Sequence, residues 1–178
     1  MGKVLWHTMM SLDGFIARPN GDMRWPGIQG GPSRTVEEVL RTTGALLVGR
    51  RTQDVEDRLQ LGFYGGAFRG PFLVLRHDPV KGVTGRFINV GVEAAVRLAK
   101  AAADGGDVVV LGANVARQCL EAGLLHEIIV HVAPVLVGDG VRVFERAGGA
   151  TVKLTPVSSA DEGGMTVLRY SLGQAESR

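Results

Sequence analysis

Short, unbroken apolar runs alternate along this chain with segments of helical period, and that alternation narrows the folds open to it. Residues 45–48, 72–75 and 108–111 are apolar at every position and read as buried strands, as does the run over residues 3–10. Between them lie helix signals. Thr35 followed by Glu38 predicts a capping box, with Val36, Val39 and Leu40 on one face and a stop at Gly44. A second helix is expected from Arg51-Thr52, carrying Val55 and Leu59. Val92, Ala95, Val96 and Ala99 mark a third face, stopped by Gly105-Gly106, and residues 115–122 give a fourth helix closed by Gly123. Strand, helix, strand repeated in this way implies right-handed crossovers and a mostly parallel central sheet. Shorter or later strands are expected at 87–90, 127–137, 151–158 and 165–172. A turn at 161–164 joins the last two into an antiparallel C-terminal hairpin. Residues 11–31 read as one long Gly/Pro/Asn loop.

A length of 178 residues suits one domain, and no linker divides residues 1–178. The hydrophobic share of 45% excludes a disordered chain, while no apolar stretch approaches the roughly 20 residues of a membrane span. A signal-peptide core is also absent, so the expected place is the cytoplasm. The net charge is only +2, with arginines scattered among acids, which argues against a nucleic-acid groove. A single cysteine, Cys119, excludes an internal disulfide and a cysteine-rich metal site, and its apolar helical setting suggests packing. His7, His126 and His131 lie in or beside strands without carboxylates at ligand spacing. They read as packed or surface histidines, and no metal site is expected.

Chemistry concentrates at strand ends. Gly49-Arg50-Arg51-Thr52 follows a buried strand and opens a helix, where free N–H groups and the positive dipole end favour an anion. Gly49 permits the tight turn, an arginine can fork onto phosphate oxygens, and Thr52 can donate its hydroxyl. The plainer alternative is an ordinary connection with solvated arginines. Leu111-Gly112-Ala113-Asn114 is a second turn of the same type, and two such turns at one sheet edge say more than either alone. Neither has the G-x-G-x-x-G spacing of dinucleotide-binding Rossmann folds. Arg76-His77-Asp78-Pro79 leaves a third strand end, either adding to the anion site or forming an exposed charged turn. Ser11-Leu12-Asp13-Gly14 leaves the first strand toward Trp25. Asp13 there is a polar handle for a substrate or an Asx turn beside Gly14.

In their order, these blocks resemble the dihydrofolate reductase-like superfamily, and more closely the C-terminal reductase domain of the bifunctional riboflavin-pathway deaminase–reductase. The resemblance rests on Ser11-Leu12-Asp13-Gly14 with Ala17, on residues 47–52, on residues 111–118, and on residues 122–128 and 133–140 with Val143-Phe144. It implies an α/β fold of that superfamily and an NADPH-dependent reductase, usually a homodimer, acting on a small-molecule substrate. Carried over by position, Gly49, Arg50, Arg51 and Thr52 would hold the 2′-phosphate side of NADPH. Leu111, Gly112, Ala113, Asn114 and Val115 would hold the pyrophosphate, and Arg76 and His77 would lie near the 2′-phosphate. Met9, Ile16 and Ala17 would face the nicotinamide. Leu12, Asp13, Trp25 and Pro134 would face the substrate, with Asp13 the candidate catalytic proton relay.

Three departures accompany the resemblance. The second turn lacks the usual Gly-Gly pair. No acid follows Trp25 to grip a pterin ring, which moves the expectation from folate toward the ribosylamino-pyrimidine intermediate of riboflavin synthesis. The deaminase zinc motif is missing, so only a reductase step is expected. The leading expectation is hydride transfer to a C=N or C=O carbon of a small heterocycle, with the cofactor supplying the hydride. Its rivals are a pterin reductase and a non-catalytic NADPH-binding or ligand-sensing protein that kept the fold.

Overall fold

The computed structural model describes residues 2–25, 28, 31–76, 86–146, 148–149 and 151–173. Among these, the first half of the chain forms β1 (Val4–Ser11), β2 (Phe15–Ala17), α1 (Arg34–Thr42), β3 (Thr43–Gly49), α2 (Arg50–Leu59), β4 (Phe72–Leu75) and β5 (Arg86–Ile88). The second half forms α3 (Val92–Ala102), β6 (Asp107–Leu111), α4 (Ala113–Glu121), β7 (Glu127–Ala133), β8 (Val141–Arg142), β9 (Leu154–Glu162) and β10 (Met165–Leu172). Eight strands form one sheet in the order β5-β4-β3-β6-β1-β7-β10-β9. The first six run parallel, and β10 and β9 add antiparallel at one side. This is the expected mostly parallel α/β sheet with an antiparallel C-terminal hairpin.

The sheet is covered on both faces, which is why its strands are apolar at successive positions. In β6, Val108 and Val110 pack with α3 and α4 through Val96, Ala99, Val115 and Cys119. Val109, between them, packs on the other side with Leu5, Leu46, Ile129 and Val39 of α1. Full burial of a valine or leucine contributes roughly 1.5–3 kcal/mol relative to exposure, so a one-residue slip of β6 is strongly disfavoured.

The structure corrects several local expectations. The N-cap of α1 is Ser33, whose Oγ accepts from the Val36 amide at 3.2 Å, and not Thr35. Thr35 is taken by another partner: its amide and hydroxyl donate to the Glu162 carboxylate at 3.0 and 3.2 Å. Gly44 lies within β3 instead of ending the helix. The hairpin turn is only Gly163-Gly164, both with positive φ (58° and 78°), so Glu162 belongs to β9 and reaches α1. On α2 the buried side chain is Gln53, whereas Val55 is half-buried. β7 stops at Ala133 because Pro134 cannot donate to the ladder and the next amides are used elsewhere. Within the expected long loop, Phe15–Ala17 pairs with Val141–Arg142, so that β2 and β8 make a small antiparallel ribbon.

Candidate functional site

A cleft of about 730 Å³ opens where β3, β4 and β6 end, with the β2/β8 ribbon forming another part of its wall. It brings together Ile16, Ala17, Gly49, Arg50, Arg51, Thr52, Arg76, Gly112, Ala113, Asn114 and Val115 from four separated segments. Leu111 closes β6 directly behind Gly112 but does not line the cleft, and Met9 does not line it either. His77 lies outside the described residues.

The two strand-to-helix turns touch because β3 and β6 are neighbours in the sheet. Gly112 has φ +106°, and a Cβ there would lie 2.8 Å from Thr52 Oγ1 and 3.8 Å from the Gly49 Cα. A Cβ on Gly49 would meet Val115 Cγ2 at 3.1 Å. Both turns therefore favour glycine, Gly112 for its positive φ and both for close approach. Gly49 caps α2 and Gly112 caps α4, neither helix start has a side-chain cap, and neither has an acid in its first turn. Free N–H groups and positive dipole ends thus open side by side at the cleft, an arrangement suited to anions.

The charge agrees. Arg50 and Arg51 are exposed and form no ion pair with the described residues. Arg76 is buried, with its Nη1 donating to Asp54 Oδ1 at 3.1 Å and its guanidinium 5.4 Å from the Phe87 ring centroid. Its Nε has no hydrogen-bond partner among the described residues, a spare donor at the cleft wall.

Asp13, the expected proton relay, is engaged by groups of the chain itself. Its carboxylate accepts from Ser11 Oγ at 2.5 Å, from the Val137 amide at 3.1 Å and from the Gly138 amide at 2.7 Å. These bonds, the Ser11 hydroxyl foremost, hold it down to about 2, so at neutral pH it carries no proton to give. It ties the loop after β1 to the loop after β7 and lies outside the cleft lining. Leu12 is 65% exposed, with its amide on the Val135 carbonyl at 2.9 Å, which brings the loop segments at Leu12 and Pro134 alongside each other. Trp25 is buried in an apolar cluster with Ala133 and Met165, against which Met9 packs. Its Nε1 has no hydrogen-bond partner among the described residues.

Two buried histidines cross the sheet on the Leu5 side. His7 Nε2 and His131 Nε2 are 2.8 Å apart, and His7 Nδ1 is 2.8 Å from Tyr64 Oη. Burial above all, then the charges of His131 and Arg169, pushes His7 down to about 3, and burial also lowers His131. Both are neutral, packed histidines, as the sequence suggests. Cys119 is fully buried and its thiol is pushed up to about 12 by that burial, which makes it inert. No described helix is long and apolar enough to cross a membrane.

Reasoning from sequence missed the β8 segment. Gly140, Val141, Arg142 and Val143 all line the cleft, as does Met23. The alternation Val141-Arg142-Val143 was the available signal, a two-residue strand hidden among glycines.

A family model described as the RibD C-terminal domain matches residues 2–168. Among solved structures, a Shewanella protein described as a riboflavin biosynthesis protein superposes with a TM-score of 0.79 at 17% identity, covering 96% of this chain and 99% of that one. The Thermotoga maritima diaminohydroxyphosphoribosylaminopyrimidine deaminase/5-amino-6-(5-phosphoribosylamino)uracil reductase gives 0.68 at 16% identity over 97% of this chain. This chain spans 57% of that bifunctional protein. The Saccharomyces cerevisiae riboflavin biosynthesis reductase gives 0.65 at 18% identity, covering 97% and 90% of the two chains. None of the curated protein sequences matches this chain.

Proposed function

This chain belongs to the RibD C-terminal domain family, and from that premise we propose that it is an NADPH-dependent reductase of a ribosylamino-pyrimidine. The observation that carries the reading is the pair of abutting, uncapped glycine turns with Arg50 and Arg51 beside them, which form no ion pair among the described residues. They fit a phosphorylated dinucleotide: the glycines let the two turns abut, so that two open helix N-termini face one cleft together.

Gly49, Arg50, Arg51 and Thr52 hold the 2′-phosphate side, with the buried Arg76 behind them adding its positive charge at the cleft wall. Gly112, Ala113, Asn114 and Val115 hold the pyrophosphate. Ile16 and Ala17 are buried and give the reacting ring an apolar wall that excludes water. When bound, the cofactor supplies the hydride. The substrate sits beyond the ends of β1 and β7, beside Leu12, Trp25 and Pro134. Asp13 positions this end by fixing the two loops to each other. The working unit is a cytoplasmic homodimer, a reading that rests on the family resemblance.

Titration with NADPH and NADH tests the cofactor. Arg50→Ala and Arg51→Ala are each expected to weaken NADPH about tenfold, the loss of one charge-assisted contact, and to leave NADH unchanged. Absence of NADPH binding, or equal affinity for NADH in the unmutated protein, overturns the 2′-phosphate assignment. Oxidation of bound NADPH on adding the ribosylamino-pyrimidine tests the reaction. Turnover of a pterin instead would move the substrate, and binding without turnover of either would favour a sensor.

A further inference from the structure

Five arginines and one glutamate line the cleft, and they differ in what already occupies them. Arg76 faces Asp54, and Arg117 donates to both oxygens of Glu121 at 2.9 and 3.0 Å and to Asn114 Oδ1 at 3.0 Å. Arg50 and Arg51 belong to the turn after β3. Arg142 is the one arginine on the β2/β8 wall, and it forms no hydrogen bond or ion pair through its side chain with the described residues, Glu145 included.

Its stem is nevertheless held. Arg142 is the cross-strand partner of Phe15, and its guanidinium lies 4.8 Å from the centroid of that ring. Phe15 is buried, and its amide donates to Ser11 Oγ at 3.0 Å. On either side the ribbon is pinned: the Val143 amide donates to the Gly14 carbonyl at 2.9 Å, and a Cβ on Gly140 would collide with the Ala17 carbonyl. A guanidinium stacked by its face on an aromatic ring keeps its N–H edges free, and those edges match phosphate oxygens. Contact with the Phe15 ring restrains the side chain, so less rotamer freedom is lost on binding.

We propose that Arg142 grips a phosphate of the bound ligands from the β2/β8 ribbon, which lines the same cleft as the two glycine turns. The group is a phosphate ester, carried by the pyrophosphate of the cofactor or by the phosphoribosyl arm of the substrate. This rests on the cofactor reading above.

Arg142→Met keeps most of the stem and removes the charge, and Arg142→Lys keeps the charge without the fork. Both are compared with the unmutated protein by titration with NADPH and NADH, and by KM for the ribosylamino-pyrimidine with and without its phosphate. Thermal melts check folding. Contact with the pyrophosphate predicts that Arg142→Met weakens NADPH and NADH together by at least about tenfold. Contact with the substrate predicts unchanged nucleotide binding and a similar rise in KM confined to the phosphorylated compound. Arg142→Lys recovers part of either loss. A purely packing role lowers the melting temperature but leaves all four constants unchanged, and that result overturns the proposal. If the unmutated protein binds neither dinucleotide, the cofactor reading has failed instead, and the Arg142 assignment falls with it.

Discussion

The start of α1 and the starts of α2 and α4 pose the same chemical problem and solve it in opposite ways. Each has amides without an intrahelical acceptor and a positive dipole end. At α1 the protein answers from within. Ser33 caps the helix, Glu37 lies in its first turn, and the Glu162 carboxylate arrives from the hairpin to take Ser33 Oγ at 2.6 Å and the Thr35 amide at 3.0 Å. At α2 and α4 there is only glycine, no capping side chain and no first-turn acid. A helix start met by a carboxylate of the chain is a structural joint, whereas the two open starts at the cleft are where the proposed reading puts an anion from outside.

Filling the open starts is the strongest way to break this contrast. Gly112→Val places a branched side chain at φ +106° and within contact of Thr52 Oγ1. It is expected to abolish measurable NADPH binding and to cost about 1–3 kcal/mol of stability, read by titration and by thermal melting. A variant that still binds NADPH as the unmutated protein does would show that the phosphates lie elsewhere.

Acid should act on the hairpin side. His7, faced by His131, Tyr64 and Arg169, is neutral in the fold with its pKa near 3 against an ordinary 6.5. The unfolded chain therefore binds the extra proton first. Stability is complete above about pH 6.5 and declines as pH falls toward 3, by on the order of 3–5 kcal/mol across the window. Glu162 adds a second, smaller limb. Its bonds to Ser33 and Thr35 hold its pKa below the ordinary value of 4.5, so its contribution is present above that value and is lost as pH falls through the lower one. Denaturant melts across pH measure both. His7→Phe should flatten the upper limb, and an unchanged slope there would place the titration on another group.

The smallest effect is expected from Glu162→Gln. It keeps the shape of the joint and removes its charge, which should cost about 1 kcal/mol, the scale of a helix cap, and leave NADPH affinity unchanged. A drop in that affinity would mean that the two regions are coupled and that the contrast is too simple.

The strand–helix alternation and both glycine turns were legible in the chain because each is signalled locally, by apolar period and by glycine next to it. The partners that define the other positions are remote. Asp13 reads as a substrate handle or an Asx turn, and the amides of Val137 and Gly138 that donate to its carboxylate lie more than a hundred residues on. Thr35 reads as a cap because Glu162 cannot be seen from residue 35. His7 and His131 meet only because β1 and β7 are adjacent. Arg142 belongs to a two-residue strand too short to show a period.

The adjacency of β3 and β6 has one more consequence. Neighbouring strands lie about 4.8 Å apart, so the two open helix starts are one strand spacing from each other. On the proposed reading the sheet acts as a ruler: strand spacing sets the separation between the negative groups that the two starts would hold. A single phosphate satisfies one start and leaves the other facing water, whereas a molecule with phosphates on both sides of an adenosine can reach the two together.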